Sequence, residues 1–358
     1  MEIVFSWENR MASLKNKMSQ FASSENEENA LTVYGDADSV SETEEVSSTS
    51  GPGLLGRLFR LSWNAATPSE HDKGRELRRA VRAEDVPKIK KMLQEGVGVN
   101  ESQEASLACI ATRRRNLEVL NILIQAGVDI NQGDRRNKSS RVRTPLQESA
   151  RKGWIEGVEA LLKAGAKVDL ADDSGATALF LAIRSNQLKV AEILLKDGAS
   201  VNGHPDRSYQ LPIHEATSVE AVELLIKYGA DIESKDRKGR TAFLIHAKEG
   251  RLNMLKFLAE KGANINAMDT LKRNALFLCG ERGDTKGVYT FLLSSGVQPR
   301  LLDLNGNNFL HFAVLRANDV KNLKWLKKEF PALWKQENLR METPSIILTQ
   351  RNFLIDLD

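Results

Sequence analysis

Apolar residues along this chain fall into short paired runs, and each pair is closed by a glycine. The runs LNILIQAG, VEALLKAG, AEILLKDG, VELLIKYG and LKFLAEKG end at Gly127, Gly165, Gly198, Gly229 and Gly262. With Gly96 and Gly296 the marker recurs at intervals of 31, 38, 33, 31, 33 and 34 residues. A period of this length signals a stack of similar units, each too small to bury its own apolar face. About twenty residues before the markers stands a second shared phrase: TPLQESA from Thr144, TALFLAI from Thr177, LPIHEA from Leu211, TAFLIHA from Thr241, NALFLC from Asn274 and NFLHFA from Asn308.

Each shared residue predicts a local structure. Thr or Asn ahead of an apolar run is a helix start, and Pro145 and Pro212 suit a first helical turn. Ala150, Ala182, Ala216 and Ala313 are small enough for neighbouring helices to approach closely. Gly153 and Gly250 end the first helix of their units and return the chain. Val190, Ile193, Leu194 and Leu195 are expected on the buried side of a second helix. Gly198 and its equivalents stop that helix, and an extended pair such as Val201-Asn202 opens a hairpin. The unit is helix–turn–helix–hairpin, and the fold class is an all-α solenoid.

These phrases resemble the ankyrin repeat, over roughly residues 74–330. The stretch ELRRAVRAED is read as a degenerate first unit beginning near Arg75. ETPSIILTQRN, from Glu342, looks like the first helix of a closing half-repeat. Eight repeats and that fragment are expected. The resemblance implies a rigid stack that binds macromolecules with its hairpin tips and with the concave face of its first helices. It also implies a structural role for His214 and His311, which occupy the histidine slot that links neighbouring hairpins. His246 falls where the repeat has alanine, which marks a local packing defect or a solvent-facing variation.

Two units depart from the pattern. The hairpin from Asn131 to Thr144 is five residues longer than the one from Asp169 to Thr177. The fifth unit is clipped: Ala216 to Gly229 is 13 positions, where Ala182 to Gly198 is 16.

Ahead of the stack three segments differ in character. Residues 1–21 carry Trp7, Met11, Leu14, Met18 and Phe21 on one helical stripe, which predicts an amphipathic helix. Such a helix docks in a partner's groove, packs on this chain's own stack or forms only transiently. Residues 22–53 are acidic and Ser-rich, a composition that predicts disorder. There Ser39 and Ser41 each precede a carboxylate by three positions, a context for acid-directed kinases. Residues 54–73 contain GLLGRLFRLSW, a short basic amphipathic stretch expected to cap the first repeat rather than lie on a membrane. The repeat domain is then 74–358.

The net charge of +3 conceals a polarity: residues 1–53 hold ten acidic and three basic residues, and 54–358 hold 38 and 48. The basic side chains gather at predicted tips. The enlarged hairpin supplies Arg135, Arg136, Lys138, Arg141 and Arg143. Later tips add Arg207 and the aromatic Tyr209, then Arg237, Lys238 and Arg240, then Lys272 and Arg273. Asp172 and Asp173 interrupt the series. A protein partner with an acidic surface is expected, bound faster at low salt.

Nucleic acid, through Arg113, Arg114, Arg115 and the enlarged hairpin, is the lesser alternative, since few aromatics accompany the arginines. A third reading is an adaptor that recruits a signalling or degradation machine through its amino-terminal helix.

Catalysis is not expected: none of the common nucleotide, hydrolase or metalloprotease motifs occurs. Cys109 and Cys279 are expected to be buried small apolar residues. No catalytic, cofactor or metal site and no small-molecule substrate is foreseen. Apolar runs fall well short of the roughly 20 residues a membrane span requires. The expectation is a monomer in the cytoplasm or nucleus.

Overall fold

The computed structural model describes residues 70–100, 106–134, 142–203, 210–279, 285–316 and 320–350, all within the unit Ala65–Asp358. The predicted amino-terminal helix, the acidic linker with Ser39 and Ser41, and residues 54–69 lie outside the described residues. So do Arg135, Arg136, Lys138, Arg141, Arg207 and Tyr209.

Among the described residues the regular elements are helices, arranged in pairs. The first two pairs are α1 (Glu70–Ala83) with α2 (Val86–Gln94) and α3 (Leu107–Arg114) with α4 (Leu117–Gln125). Next come α5 (Pro145–Lys152) with α6 (Ile155–Lys163) and α7 (Ala178–Arg184) with α8 (Leu188–Lys196). They are followed by α9 (Pro212–Glu215) with α10 (Val219–Lys227) and α11 (Ala242–Lys248) with α12 (Leu252–Glu260). The last pairs are α13 (Ala275–Leu278) with α14 (Thr285–Ser294) and α15 (Phe309–Arg316) with α16 (Val320–Glu329). One turn, α17 (Pro331–Trp334), precedes the last hairpin, and α18 (Pro344–Gln350) packs on α15 as the closing half-unit. The first helix begins at Glu70 rather than Arg75, inside the segment read as a cap.

First helices pack on first helices and second helices on second helices, so two helical layers run along the stack with the hairpins at one edge. Local chemistry sets the boundaries. Thr144, Thr177 and Thr241 cap their helices by accepting from the backbone N–H three residues on, at 3.3, 3.3 and 3.5 Å. Asn274 and Asn308 cap α13 and α15 two residues on, at 3.1 and 3.0 Å. Second helices end at a glycine such as Gly198, whose φ of 88° lies in the left-handed region where a side chain would be strained.

Core burial follows the small-residue pattern. Ala150, Ala182 and Ala216 are fully buried and Ala313 nearly so. Phe180, Phe243, Phe277 and Phe309 are the largest fully buried side chains, each worth roughly 1.5–3 kcal/mol of apolar burial. In α8, Val190, Leu194 and Leu195 are buried while Ile193 is half-buried, because it stands at the rim of the apolar face.

Three expectations need correction or completion. The clipped fifth unit is real and falls on α9, which is a single turn. A second single-turn helix, α13, was not foreseen, because its apolar phrase reads like the others. His246 is not solvent-facing. It is fully buried in the first-helix layer, where the repeat elsewhere places Ala182 or Ala216. No described helix is long and apolar enough to cross a membrane.

Candidate partner-binding edge

At the hairpin edge each turn is organised by one residue. Asp236 Oδ1 accepts from the N–H groups of Lys238 and Arg240, both at 2.9 Å. Asp269 holds Leu271 and Arg273 at 2.9 Å each, and Asp303 holds Asn305 and Asn307 at 2.8 Å each. Asn338 repeats the arrangement with Arg340 and Glu342 at 2.8 and 3.0 Å. In every case the N–H of this residue also donates to the carbonyl four positions on, at 2.9–3.0 Å. These turns therefore satisfy their own backbone and need no partner to stay in shape.

That arrangement divides the basic side chains into two groups. Arg240 donates to Asp236 Oδ2 through Nε at 2.9 Å and Nη2 at 2.6 Å, and Arg273 clamps Asp269 with the same two distances. Both carboxylates are buried, so these two arginines hold the turns together. Arg237, Lys238 and Lys272 stand exposed on the same turns.

The enlarged hairpin keeps one of these bonds at its base. Asp134 N–H donates to the Arg143 carbonyl at 2.9 Å, as in the other turns, but Arg143 N–H donates to the Asp134 carbonyl at 3.2 Å rather than to its side chain. Beneath it lies a charged cluster. Arg113 Nη1 is 2.9 Å from Asp134 Oδ2, and Arg143 stands 3.7 Å from Asp172 and 3.9 Å from Glu148. Arg151 and Lys152 also pair with Glu148, at 2.9 and 3.8 Å, and Lys152 Nζ donates to the Arg113 carbonyl at 2.7 Å. Asp134, Glu148 and Asp172 are all buried. Arg143, expected at the tip, sits at the base and neutralises carboxylates. Asp172, which interrupts the basic series in sequence, is part of this internal network.

Four first helices, α3, α5, α9 and α15, each carry a side chain that staples neighbouring units. His214 Nδ1 accepts from Leu211 N–H at 3.0 Å while Nε2 faces the Ser234 carbonyl at 2.9 Å. His311 does the same with Asn308 N–H at 3.1 Å and the Glu342 carbonyl at 3.0 Å. Burial holds the His311 imidazole below its usual pKa, consistent with a neutral ring that accepts at one nitrogen and donates at the other. Gln147 performs the same task, taking Thr144 N–H at 2.8 Å and donating to the Leu170 and Ala176 carbonyls at 2.7 and 3.2 Å. Cys109 occupies that slot in the second unit. Its thiol donates to the Arg143 carbonyl at 3.4 Å, and burial pushes its pKa up to about 12. Both cysteines are buried, as expected.

The sequence reading missed an apolar component of the edge. Met268, Leu271, Leu302, Leu304, Leu339 and Met341 are all exposed, and all flank the turn residues Asp269, Asp303 and Asn338. A register drawn through those three residues would have shown it, since in sequence the apolar positions look like stray hairpin residues. The turns also touch. Thr270 N–H donates to the Lys238 carbonyl at 2.9 Å, Leu304 to Leu271 at 3.2 Å and Leu339 to Asn305 at 3.0 Å.

Paired helices in two layers, side-chain staples between units and a ladder of self-held turns define a helical repeat solenoid. The family description "Ankyrin repeats (3 copies)" matches residues 108–204 and 203–269, so this part of the chain is built of ankyrin repeats. It is similar to an ankyrin repeat protein of fowlpox virus, 25% identical over 277 residues that make up 68% of this chain and 45% of that protein. A potassium channel of Arabidopsis thaliana is 29% identical over 131 residues, 37% of this chain and 16% of the channel. Human inversin is 31% identical over 186 residues, 49% of this chain and 17% of inversin. The chain thus spans less than half the length of each. Ankyrin repeats are in general protein–protein interaction modules and typically non-catalytic.

Proposed function

We propose that this chain is a non-enzymatic scaffold or adaptor, monomeric and working in the cytoplasm or nucleus. It binds a protein partner with an acidic surface through its hairpin tips and the adjoining face of the first helices. One observation carries this reading: the turns hold themselves rigid through buried Asp236, Asp269 and Asp303, so Arg237, Lys238 and Lys272 are displayed on a fixed frame. A preorganised surface loses little entropy on binding. Arg113, one of the residues a nucleic-acid reading needs, is instead paired with buried Asp134, which favours a protein partner. The division into 1–21, 22–53, 54–73 and 74–358 stays part of the proposal, with the amino-terminal helix as a second binding element.

The test is affinity capture with the full chain and two charge reversals. One changes Arg237, Lys238 and Lys272 to Glu; the other changes Arg135, Arg136, Lys138 and Arg141 to Glu. The expected result is a protein partner lost on at least one reversal and bound more weakly as salt rises. Partners retained by both variants at every salt concentration would contradict binding by basic tips.

A further inference from the structure

The last four turns form one continuous edge whose exposed side chains are of two kinds. Over 235–240, 268–273, 302–307 and 337–342 the exposed charged residues are Lys235, Arg237, Lys238, Lys272 and Arg340 against one acid, Glu337. The buried Asp236 and Asp269 are neutralised by Arg240 and Arg273, and the buried Asp303 is held by the N–H groups of its own turn. Between the basic groups lie the six exposed Leu and Met residues, with Leu339 76% and Met341 69% exposed. They adjoin one another across turns: Leu304 bonds to the Leu271 carbonyl, and Leu339 rests so close on Gly306 that a Cβ there would lie 3.1 Å from its Cγ.

A second observation concerns backbone conformation. The fourth position of each of these turns adopts left-handed φ, and in two of the four it is Gly239 or Gly306, at 71° and 72°. In the other two it is Lys272 and Met341, both at 61°. Side chains disfavour this region, and neither residue is buried against the stack. The strain supports no packing, and the two residues it retains add one cation and one soft apolar group to the exposed ribbon.

We infer that this basic–apolar ribbon is a docking strip for an acidic peptide segment of a partner, one carrying Leu, Met or Phe anchors between carboxylates. The inference rests on the scaffold reading and specifies the partner's chemistry. A second copy of this chain is disfavoured because two such positive edges repel. A bilayer is disfavoured because no Trp or Tyr, the residues suited to a membrane interface, stands among the exposed residues of these four turns. Methionine at two positions suits anchors of varied shape.

The experiment is selection of a random dodecapeptide library on the full chain, counter-selected on the variant Leu271→Ser, Leu304→Ser, Met341→Gly. Extended dodecapeptides reach about 40 Å, enough to cross several turns. Enriched peptides are expected to carry Asp or Glu interleaved with Leu, Met or Phe, and to bind the variant at least about tenfold more weakly. The separate variant Lys272→Gly, Met341→Gly should bind those peptides more weakly while its Tm rises. That combination distinguishes a binding role from a packing role.

No enrichment over counter-selection, peptides without acidic residues, or equal affinity for the triple variant would each overturn the proposal. So would sedimentation with phosphatidylserine vesicles, or a dimer, that the triple variant abolishes, since these assign the ribbon to a membrane or a second copy. A captured partner indifferent to the triple variant but lost on reversal of the enlarged hairpin overturns the ribbon and leaves the scaffold reading intact. A partner indifferent to every edge variant overturns both.

Discussion

His246 shows how one side chain can make the stack sensitive to acid. It is fully buried where neighbouring units have alanine, its Nδ1 lies 3.4 Å from Arg251 Nη1, and its Nε2 makes no hydrogen bond. Burial lowers its pKa to about 3, helped by the nearby Arg251 and His214. The unfolded chain therefore binds a proton that the folded chain refuses, so stability is full above about pH 6.5 and falls as pH drops towards 3. Between pH 7 and 5 this one group should cost about 2 kcal/mol. Urea unfolding at both pH values, in the wild type and in His246→Ala, should show that increment in the wild type alone. An equal pH dependence in both would mean that His246 is hydrated. The turn residues allow a second prediction. Asn338 organises its turn without a charge, so Asp236→Asn should keep the two N–H contacts and lose chiefly the Arg240 clamp. It should cost about 1–2 kcal/mol by thermal unfolding, and Asp236→Ala clearly more, because that leaves two N–H groups unpaired. The structural task of His214 and His311 was legible from their slot. That of Gln147 was not, because a glutamine signals no role until its reach to the Leu170 carbonyl is seen.

Among the elements, the five-residue insertion is the clearest case of change without damage. Its base, Asp134 with Arg143, is closed by two backbone bonds of its own, so the inserted residues should be removable. Deleting 136–140 and changing Val142 to Gly restores the Asp236–Arg240 spacing with glycine at the left-handed position. Loop length alters stability only weakly, so Tm should move by no more than about 3 °C. A larger loss would mean that the insertion itself braces the Glu148 cluster. Helix pairs, caps and repeat period were readable in the sequence because each depends on local spacing. The single-turn α13 was not, because NALFLC has the same helix-start chemistry as longer helices. The division of arginines was equally hidden. Arg237 and Arg240 look alike on the page, and only the turn geometry shows that one is displayed and the other clamps Asp236.

In the whole molecule, each helix pair is buried by its neighbours and the last is closed by α18, whose Ile347 and Leu348 are buried. Stability in such a stack is a sum over interfaces, while the hairpin edge contributes little apolar burial. That separation lets the edge carry exposed leucines, methionines and strained left-handed residues without endangering the fold. A partner held there should change the edge and leave the helical layers as they are. Amide hydrogen exchange of the full chain, free and bound to its captured partner, measures this directly. Slowed exchange should concentrate in the turns 235–240, 268–273, 302–307 and 337–342, with the second helices unchanged. Protection confined to residues 1–53 or to the outer faces of α8, α10 and α12 would contradict recognition by the hairpin edge.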